Sequence, residues 1–410
     1  MKIIDVQTVL LTGPNSLDPF VAACRALRSA SFIEIHTDGG VIGIGESYTG
    51  YHAPEIVPAI VDFFRPILVG LDVDEIDPRE LWQRMYYCGN FWCRVGVGVN
   101  VLAGIEGALW DLRGKLDGKP VHALLGPLAH EKLLCYATGC TSPYPWDHMR
   151  RKLDLYRGAG FRAMKVGSGR HDQRDGSRFW SDDPQAWIDV ETEKLEEVRN
   201  HVGREFIMCL DGHMSNDGAR YGKVWDADIA MRVLGALEPF DLFFYEEPLA
   251  YNDIEGYAAL VGATSVPVAG GEGLSTEPEF QQYARSGALD IAQPDAAYNG
   301  MGALVDIARL FAADEKRIAT HAWSAGGGVM QNIHAAFVCP NTAILEIPPL
   351  AGPLHTEIWG DGYRFEDGYI LPPQAPGLGV QLTEATKARY PFQPGSGEWN
   401  DVPGGKGSPR

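Results

Sequence analysis

Apolar and polar positions repeat with two different periods along the chain, and the change of period divides it. The opening stretch KIIDVQTVLL alternates as a strand does. SFIEIHTDGGVIGIGE then sets two alternating apolar runs on either side of TDGG, which predicts a β-hairpin turning at the glycines. In VNVLAGIEGALWDLRGKLDG the period lengthens to that of a helix. Val101, Ile105, Ala108, Leu109 and Leu112 fall on one face, and Gly118 supplies a stop. Residues 1–128 therefore read as a small α+β unit.

From residue 129 the rhythm becomes short apolar runs, most followed by an amphipathic stretch. The runs are KLLCYATG, FRAMKV, FIMCLD, DLFFYE, VPVAGGE, ALDIAQPD, RIATHA and AILEI. Between them, Ile188, Leu195, Val198 and Val202 share one helical side, as do Leu304, Ile307 and Leu310. Repeated β–α units of this number predict a parallel (β/α) barrel over residues 129–364. The segment 365–410 loses the rhythm and is expected to return to the first unit, ending in a mobile tail, GSGEWNDVPGGKGSPR. The connection GSGRHDQRDGSRFWSDDPQ, after the second run, is far longer than such a link needs, and either assembly or cover for a site would suit it.

Composition narrows the classes of partner. The 410 residues carry 35 Lys and Arg against 54 Asp and Glu, a net charge of −19, which disfavours nucleic acid and anionic membrane surfaces. The N-terminal stretch has no basic region leading into an apolar core, and no apolar run reaches spanning length, so a cytoplasmic protein is expected. Cys24, Cys88, Cys93, Cys135, Cys140, Cys209 and Cys339 lack C-x-x-C spacing and read as reduced thiols, not as a metal site. Neither a phosphate-binding loop, nor a dinucleotide fingerprint, nor a nucleophile elbow is present.

In a parallel barrel the chemistry sits where the strands end, so the polar residues that close the apolar runs become the candidates. These are Lys165, then Asp211 with His213, then Glu246 with Glu247, then Glu272, Asp295, His321 and Glu346. Asp211, Glu246 and Glu272 end three consecutive runs, and carboxylates converging on one mouth repel unless a cation neutralises them. All-oxygen ligation on a rigid scaffold suits Mg²⁺. Glu247, next to Glu246, is expected on the opposite face. Asp211 and His213, two apart on a strand, are expected to share a face. His213 is then either a proton donor beside the metal or a further ligand. Asp295 and His321 close neighbouring runs, so the carboxylate can orient the imidazole as a general base. Glu346 either hydrogen-bonds a developing intermediate or caps the barrel.

Taken together and in this order, the segments IEGALWDLRGKLDGKPVHALLG, GFRAMKVGSG, LDGH, YEEP, PVAGGE, IAQPD, THA and LEI resemble the enolase superfamily, in particular the mandelate racemase subgroup and its acid-sugar dehydratases. The resemblance spans nearly the whole chain. It implies a (β/α)₇β barrel under an α+β N-terminal capping domain completed by C-terminal residues. It also implies one Mg²⁺ per site on Asp211, Glu246 and Glu272, a His321–Asp295 dyad, and homo-oligomers. Sites of this superfamily use a Lys or His base with Mg²⁺ to stabilise an ene-diolate.

One departure matters. Subgroup members carry K-x-K at the second strand, and here the ungapped match gives Lys165, Val166 and Gly167. The missing second lysine weakens a racemase, which needs a base on each face. A shifted match would make Lys165 that second base and favour an epimerase or cycloisomerase. The Asp-x-His pair resembles that of aldonate dehydratases, whose histidine is the general acid. The resulting expectation is a Mg²⁺-dependent hydro-lyase: His321 removes the C2 proton of an aldonate or aldarate, His213 protonates the departing 3-hydroxyl, and a 2-keto-3-deoxy acid forms. A binding protein without turnover would need no such acid–base pair. Family specificity lies in early cap loops, which here offer Arg25, Arg28, Tyr48 and Trp92 as candidates beside Lys165 and Glu346 for contact with the substrate.

Overall fold

A computed structural model describes residues 1–20, 26–139, 141–215 and 224–396. Strand β1 (Ile3–Pro14) runs antiparallel to β2 (Leu27–Thr37), in one register from Asp5 opposite His36 to Pro14 opposite Leu27, with a shift between Ile3 and Asp5. The predicted hairpin joins β2 to β3 (Ile42–Ser47), with Gly40 at φ +78° in its turn. Helices α1 (Val57–Leu68), α2 (Pro78–Cys88) and α3 (Val97–Asp117) pack on this sheet. Their shared core includes Ile33, Ile35, Val61, Phe64, Leu102, Ile105 and Leu109.

The α3 sequence predicts one buried face and a stop at Gly118. Gly118 is indeed a left-handed cap at φ +63°, but α3 is buried nearly all round. One side meets the cap sheet so closely that a Cβ on Gly45 would lie 2.1 Å from the Gly104 carbonyl. The other side meets the barrel, where Glu106 accepts from the Gly302 amide at 3.0 Å. A helix wedged between two layers has no solvent face to give it a single amphipathic stripe.

Eight parallel strands follow: β4 (Leu133–Thr138), β5 (Ala163–Gly167), β6 (Ile207–Asp211), β7 (Phe244–Glu246), β8 (Val268–Gly270), β9 (Ile291–Ala292), β10 (Arg317–Thr320) and β11 (Thr342–Ile347). Each pairs with the next, and β11 pairs back to β4, so the sheet closes into the expected barrel. Helices cover the outside, among them α4 (Pro184–Val202) after β5 and α5 (Gly326–Ala336) after β10. The barrel interior holds one residue from every strand: Tyr136, Ala163, Cys209, Phe244, Ala269, Ile291, Ala319 and Ile344.

After the barrel, a short hairpin of Phe365–Glu366 and Tyr369–Ile370 adds antiparallel to the start of β4. Further on, the Leu378 amide donates to Asp111 at 2.7 Å and the Thr12 amide to the Tyr390 carbonyl at 3.2 Å, both on the cap. The long connection after β5 lays His171–Asp172 beside Pro143–Tyr144 and stacks Arg170 on the Tyr144 ring. Cys88, Cys93, Cys135, Cys209 and Cys339 are free thiols, whereas Cys24, Cys140 and most of the C-terminal tail lie outside the described residues. Among the described residues no helix is long and apolar enough to cross a membrane.

Candidate active site

Strand side chains alternate, so the positions two residues beyond the apolar interior layer form the next layer toward the strands' C-terminal ends. Those positions are Thr138, Lys165, Asp211, Glu246, Gly271, Gln293, His321 and Glu346. The barrel therefore passes from apolar to largely ionisable within one pleat. Glu272 lies one residue past the layer, after Gly271 at φ +108°, and Asp295 two residues past it.

Lys165 is the centre of the acidic group. Its Nζ lies 2.6 Å from Glu246 Oε2, 3.0 Å from Asp211 Oδ2 and 3.5 Å from Glu346 Oε1, all four side chains being buried. Burial opposes the ammonium charge, but Asp211, Glu246 and Glu346 outweigh it and hold Lys165 protonated well above the ordinary lysine range. Burial, followed by the charge of Asp211, pushes the Glu246 carboxyl far up. Glu272 is held down at about 2, because His321, His213 and Lys165 overcome its burial.

Whether Asp211, Glu246 and Glu272 suit a divalent cation is tested by their chemistry here. They are oxygen donors from adjacent strand ends, with Asp211 and Glu246 directly in register. Glu246 Oε1 is buried without a hydrogen-bond partner among the described residues. Among those residues no three such donors are already closed around an ion-sized space, and Lys165 bridges Asp211 and Glu246 instead. The donor set fits a hard cation, and the neutralising charge it calls for is supplied in part by the ammonium.

The dyad is formed. His321 Nδ1 pairs with Asp295 Oδ2 at 2.8 Å, and Asp295 Oδ1 accepts from Ala297 N and Asn332 Nδ2, both at 2.7 Å. His321 Nε2 stands 3.6 Å from Glu272 Oε2. Burial disfavours the imidazolium, but Glu272, Glu346 and Asp295 reverse this and raise His321 to about 10. Glu346 Oε2 accepts from Ala322 N at 2.8 Å. Its carboxyl is lowered despite burial by Lys165 and His321.

His213 reaches the cluster by a different route from the expected one. Strand β6 stops at Asp211, and His213 adopts φ +49°, folding back so that its Nε2 lies 3.3 Å from Asp211 Oδ2. A turn places it there, not strand alternation. Glu247 departs in the same way: β7 ends at Glu246, Glu247 takes φ +41°, and burial with the charges of Glu272, Asp211 and Glu246 drives its carboxyl far up. Alternation therefore does not set its face, and the charges that act on it are those of the acidic cluster.

Of the cap candidates, Tyr48 packs edge-on against the His321 ring at 5.4 Å. Arg28 is buried beneath Tyr51 and Trp323, while Trp92 packs on Phe63 and Phe64 within the cap. Arg25 lies outside the described residues. Sequence reading missed Gln293, fully buried in the polar layer with neither amide atom partnered among the described residues. It also missed Asn332, which orients Asp295. Counting two residues on from the apolar layer would have found Gln293.

The chain matches two family descriptions, "Mandelate racemase / muconate lactonizing enzyme, N-terminal domain" over residues 5–126 and "Enolase C-terminal domain-like" over residues 148–386. A D-galactonate dehydratase of Ralstonia pickettii is 30% identical over 365 residues, covering 86% of this chain and 89% of that protein. A 3,6-anhydro-alpha-L-galactonate cycloisomerase of Streptomyces coelicolor is 28% identical, covering 85% and 88%. The crystal structure of a racemase from Streptomyces coelicolor with bound magnesium superposes with a TM-score of 0.78 at 26% identity, over 95% of this chain and 99% of that one.

Proposed function

Because the chain belongs to the mandelate racemase subgroup of the enolase superfamily, we propose that it is a Mg²⁺-dependent dehydratase of an aldonate or aldarate. The observation that carries this reading is the presence of two imidazoles at one carboxylate cluster, His321 fixed by Asp295 and His213 folded against Asp211. Asp211, Glu246 and Glu272 would hold the cation, which supplies positive charge against the charge that develops on the substrate carboxylate.

His321 takes the C2 proton on Nε2, since Nδ1 is committed to Asp295. Its protonation up to about 10 follows from the uncountered charge of Glu272 and Glu346, and the neutral form becomes accessible once that charge is countered. Lys165 offsets charge on the substrate carboxylate, with Glu346 beside it. His213 donates a proton to the 3-hydroxyl as the C3–O bond breaks. Water and an enol result, and the enol ketonises to the 2-keto-3-deoxy acid.

The second barrel strand carries one lysine, Lys165, where a racemase needs a base on each face, and this supports dehydration over racemisation. The Streptomyces relative favours a second reading, an intramolecular isomerisation started by the same proton abstraction. Purified protein with Mg²⁺ should convert one member of a panel of aldonic and aldaric acids, D-galactonate included, to a product trapped as a semicarbazone, and EDTA should abolish this. A product isomeric with its substrate would replace the dehydratase reading with the second. The proposal extends to a cytoplasmic, homo-oligomeric protein that binds neither nucleic acid nor membrane.

A further inference from the structure

The segment from Ala322 to Gly328 links the base to helix α5, and two buried cap side chains, Arg28 and Glu46, hold its backbone. Arg28, on β2 and 1% exposed, donates through Nη1 to the Trp323 carbonyl and, at 2.7 Å, to that of Ser324. Its guanidinium lies 4.5 Å from the Tyr51 ring centre and 4.7 Å from that of Trp323, and the Trp323 indole donates to the Tyr51 hydroxyl at 2.8 Å. Glu46, on β3 and 2% exposed, accepts from the Ala325 and Gly328 amides, both at 2.7 Å. The Glu46 amide in turn donates to Gln331 of α5 at 2.7 Å.

The held segment touches both members of the dyad. His321 immediately precedes it, and Asn332 on the helix it begins donates to Asp295 and accepts from the Ala296 amide. A guanidinium donating to two carbonyls and a carboxyl accepting from two amides are directional restraints, and the burial that raises Glu46 to about 7 also keeps water from competing for them. The hydrogen bonds of Arg28 and Glu46 to this segment fall on its backbone, and the charge of Asp295 also bears on Glu46. Those bonds therefore act on the dyad through the loop backbone.

We propose that Arg28 and Glu46 are positioning residues for the general base: the capping domain, through the hydrogen bonds of this buried pair, fixes the loop that aims His321 and Asp295. The proposal rests on the reading of His321 as the base. Misplacing a base by about 1 Å costs on the order of a hundredfold in rate.

The test uses the full-length Mg²⁺-loaded protein and the acid of the above panel that it converts, following both product formation and exchange of the C2 proton in D₂O. Arg28→Met and Glu46→Gln should lower kcat about a hundredfold while KM stays within about threefold, with exchange and elimination falling together. Arg28→Ala should regain part of its kcat when guanidinium is added, a rescue that general loosening of the fold would not give. Arg28→Lys, which keeps the charge and one donor, should fall between Met and wild type and serves if Arg28→Met does not fold. Folded variants with wild-type kcat, or with raised KM and intact kcat, would overturn the proposal. Persistence of exchange in His321→Asn would instead overturn the reading of the base, whatever the clamp variants do.

Discussion

Two layers of the same barrel, one pleat apart, follow opposite rules. The lower layer, from Tyr136 round to Ile344, is apolar and fully buried, with Tyr136 and Phe244 ring centres 5.7 Å apart and edge to face. The upper layer, on the same strands, collects Lys165, Asp211, Glu246, His321 and Glu346 at nearly the same burial. Burial is favourable for the first and costly for the second, where carboxylates repel and shift one another's proton affinities. The strands are therefore made rigid by one layer so that the next can hold charges that would otherwise separate.

The sharpest break between the layers is functional. His321→Asn should remove both C2 exchange and dehydration, at least about a thousandfold each, and leave thermal unfolding nearly unchanged. One pleat lower the pattern reverses. Phe244→Ala should cost about 3–5 kcal/mol in denaturant unfolding without altering the affinity for Mg²⁺ of the protein that remains folded. Glu246→Gln sits on the other side of that comparison. The amide keeps the shape of Glu246 and leaves Asp211 and Glu346 beside Lys165, so it should cost less stability than Phe244→Ala while abolishing Mg²⁺ binding in calorimetry. A large loss of stability with binding intact would show that the carboxylate is structural.

A pH-dependent effect lies in the seam between cap and barrel. Burial raises the Glu106 carboxyl from 4.5 to about 7, against the donors Trp110 and Gly302. A raised carboxyl means that the folded protein keeps a proton the unfolded chain has released. Its contribution to stability is fully present below pH 4.5 and is lost as pH rises through about 7, amounting to about 3 kcal/mol. Glu106→Gln should flatten the fall in unfolding free energy between pH 5 and 8. An unchanged slope would mean that Glu106 is ionised in the folded protein throughout.

What the sequence disclosed follows from where periodicity holds. The eight runs, the closing acids and the His321–Asp295 pair were legible because an apolar run ends where the barrel mouth begins, even where Glu272, Asp295 and His321 fall one to three residues past the strand. What fails beyond the strand is the assignment of faces. His213 and Glu247, both in the left-handed region, were assigned to faces as though their strands continued, yet both lie past their strand ends, and His213 is folded back against Asp211. A non-glycine residue at positive φ is imposed by its surroundings, so no local propensity announces it. Arg28 and Glu46 were illegible for a different reason. Each lies in a strand of the cap, and its partners are backbone groups some 280 to 296 positions away.

The account centres on a division of labour between two imidazoles, and the measurement that tests it most directly is proton NMR of the substrate in D₂O with His213→Asn protein and Mg²⁺. With His321 and Asp295 intact, the C2 proton signal should disappear through exchange while no 2-keto-3-deoxy product forms. Loss of exchange together with dehydration, in a variant that remains folded and binds Mg²⁺, would contradict the assignment of His321 as the base and His213 as the acid.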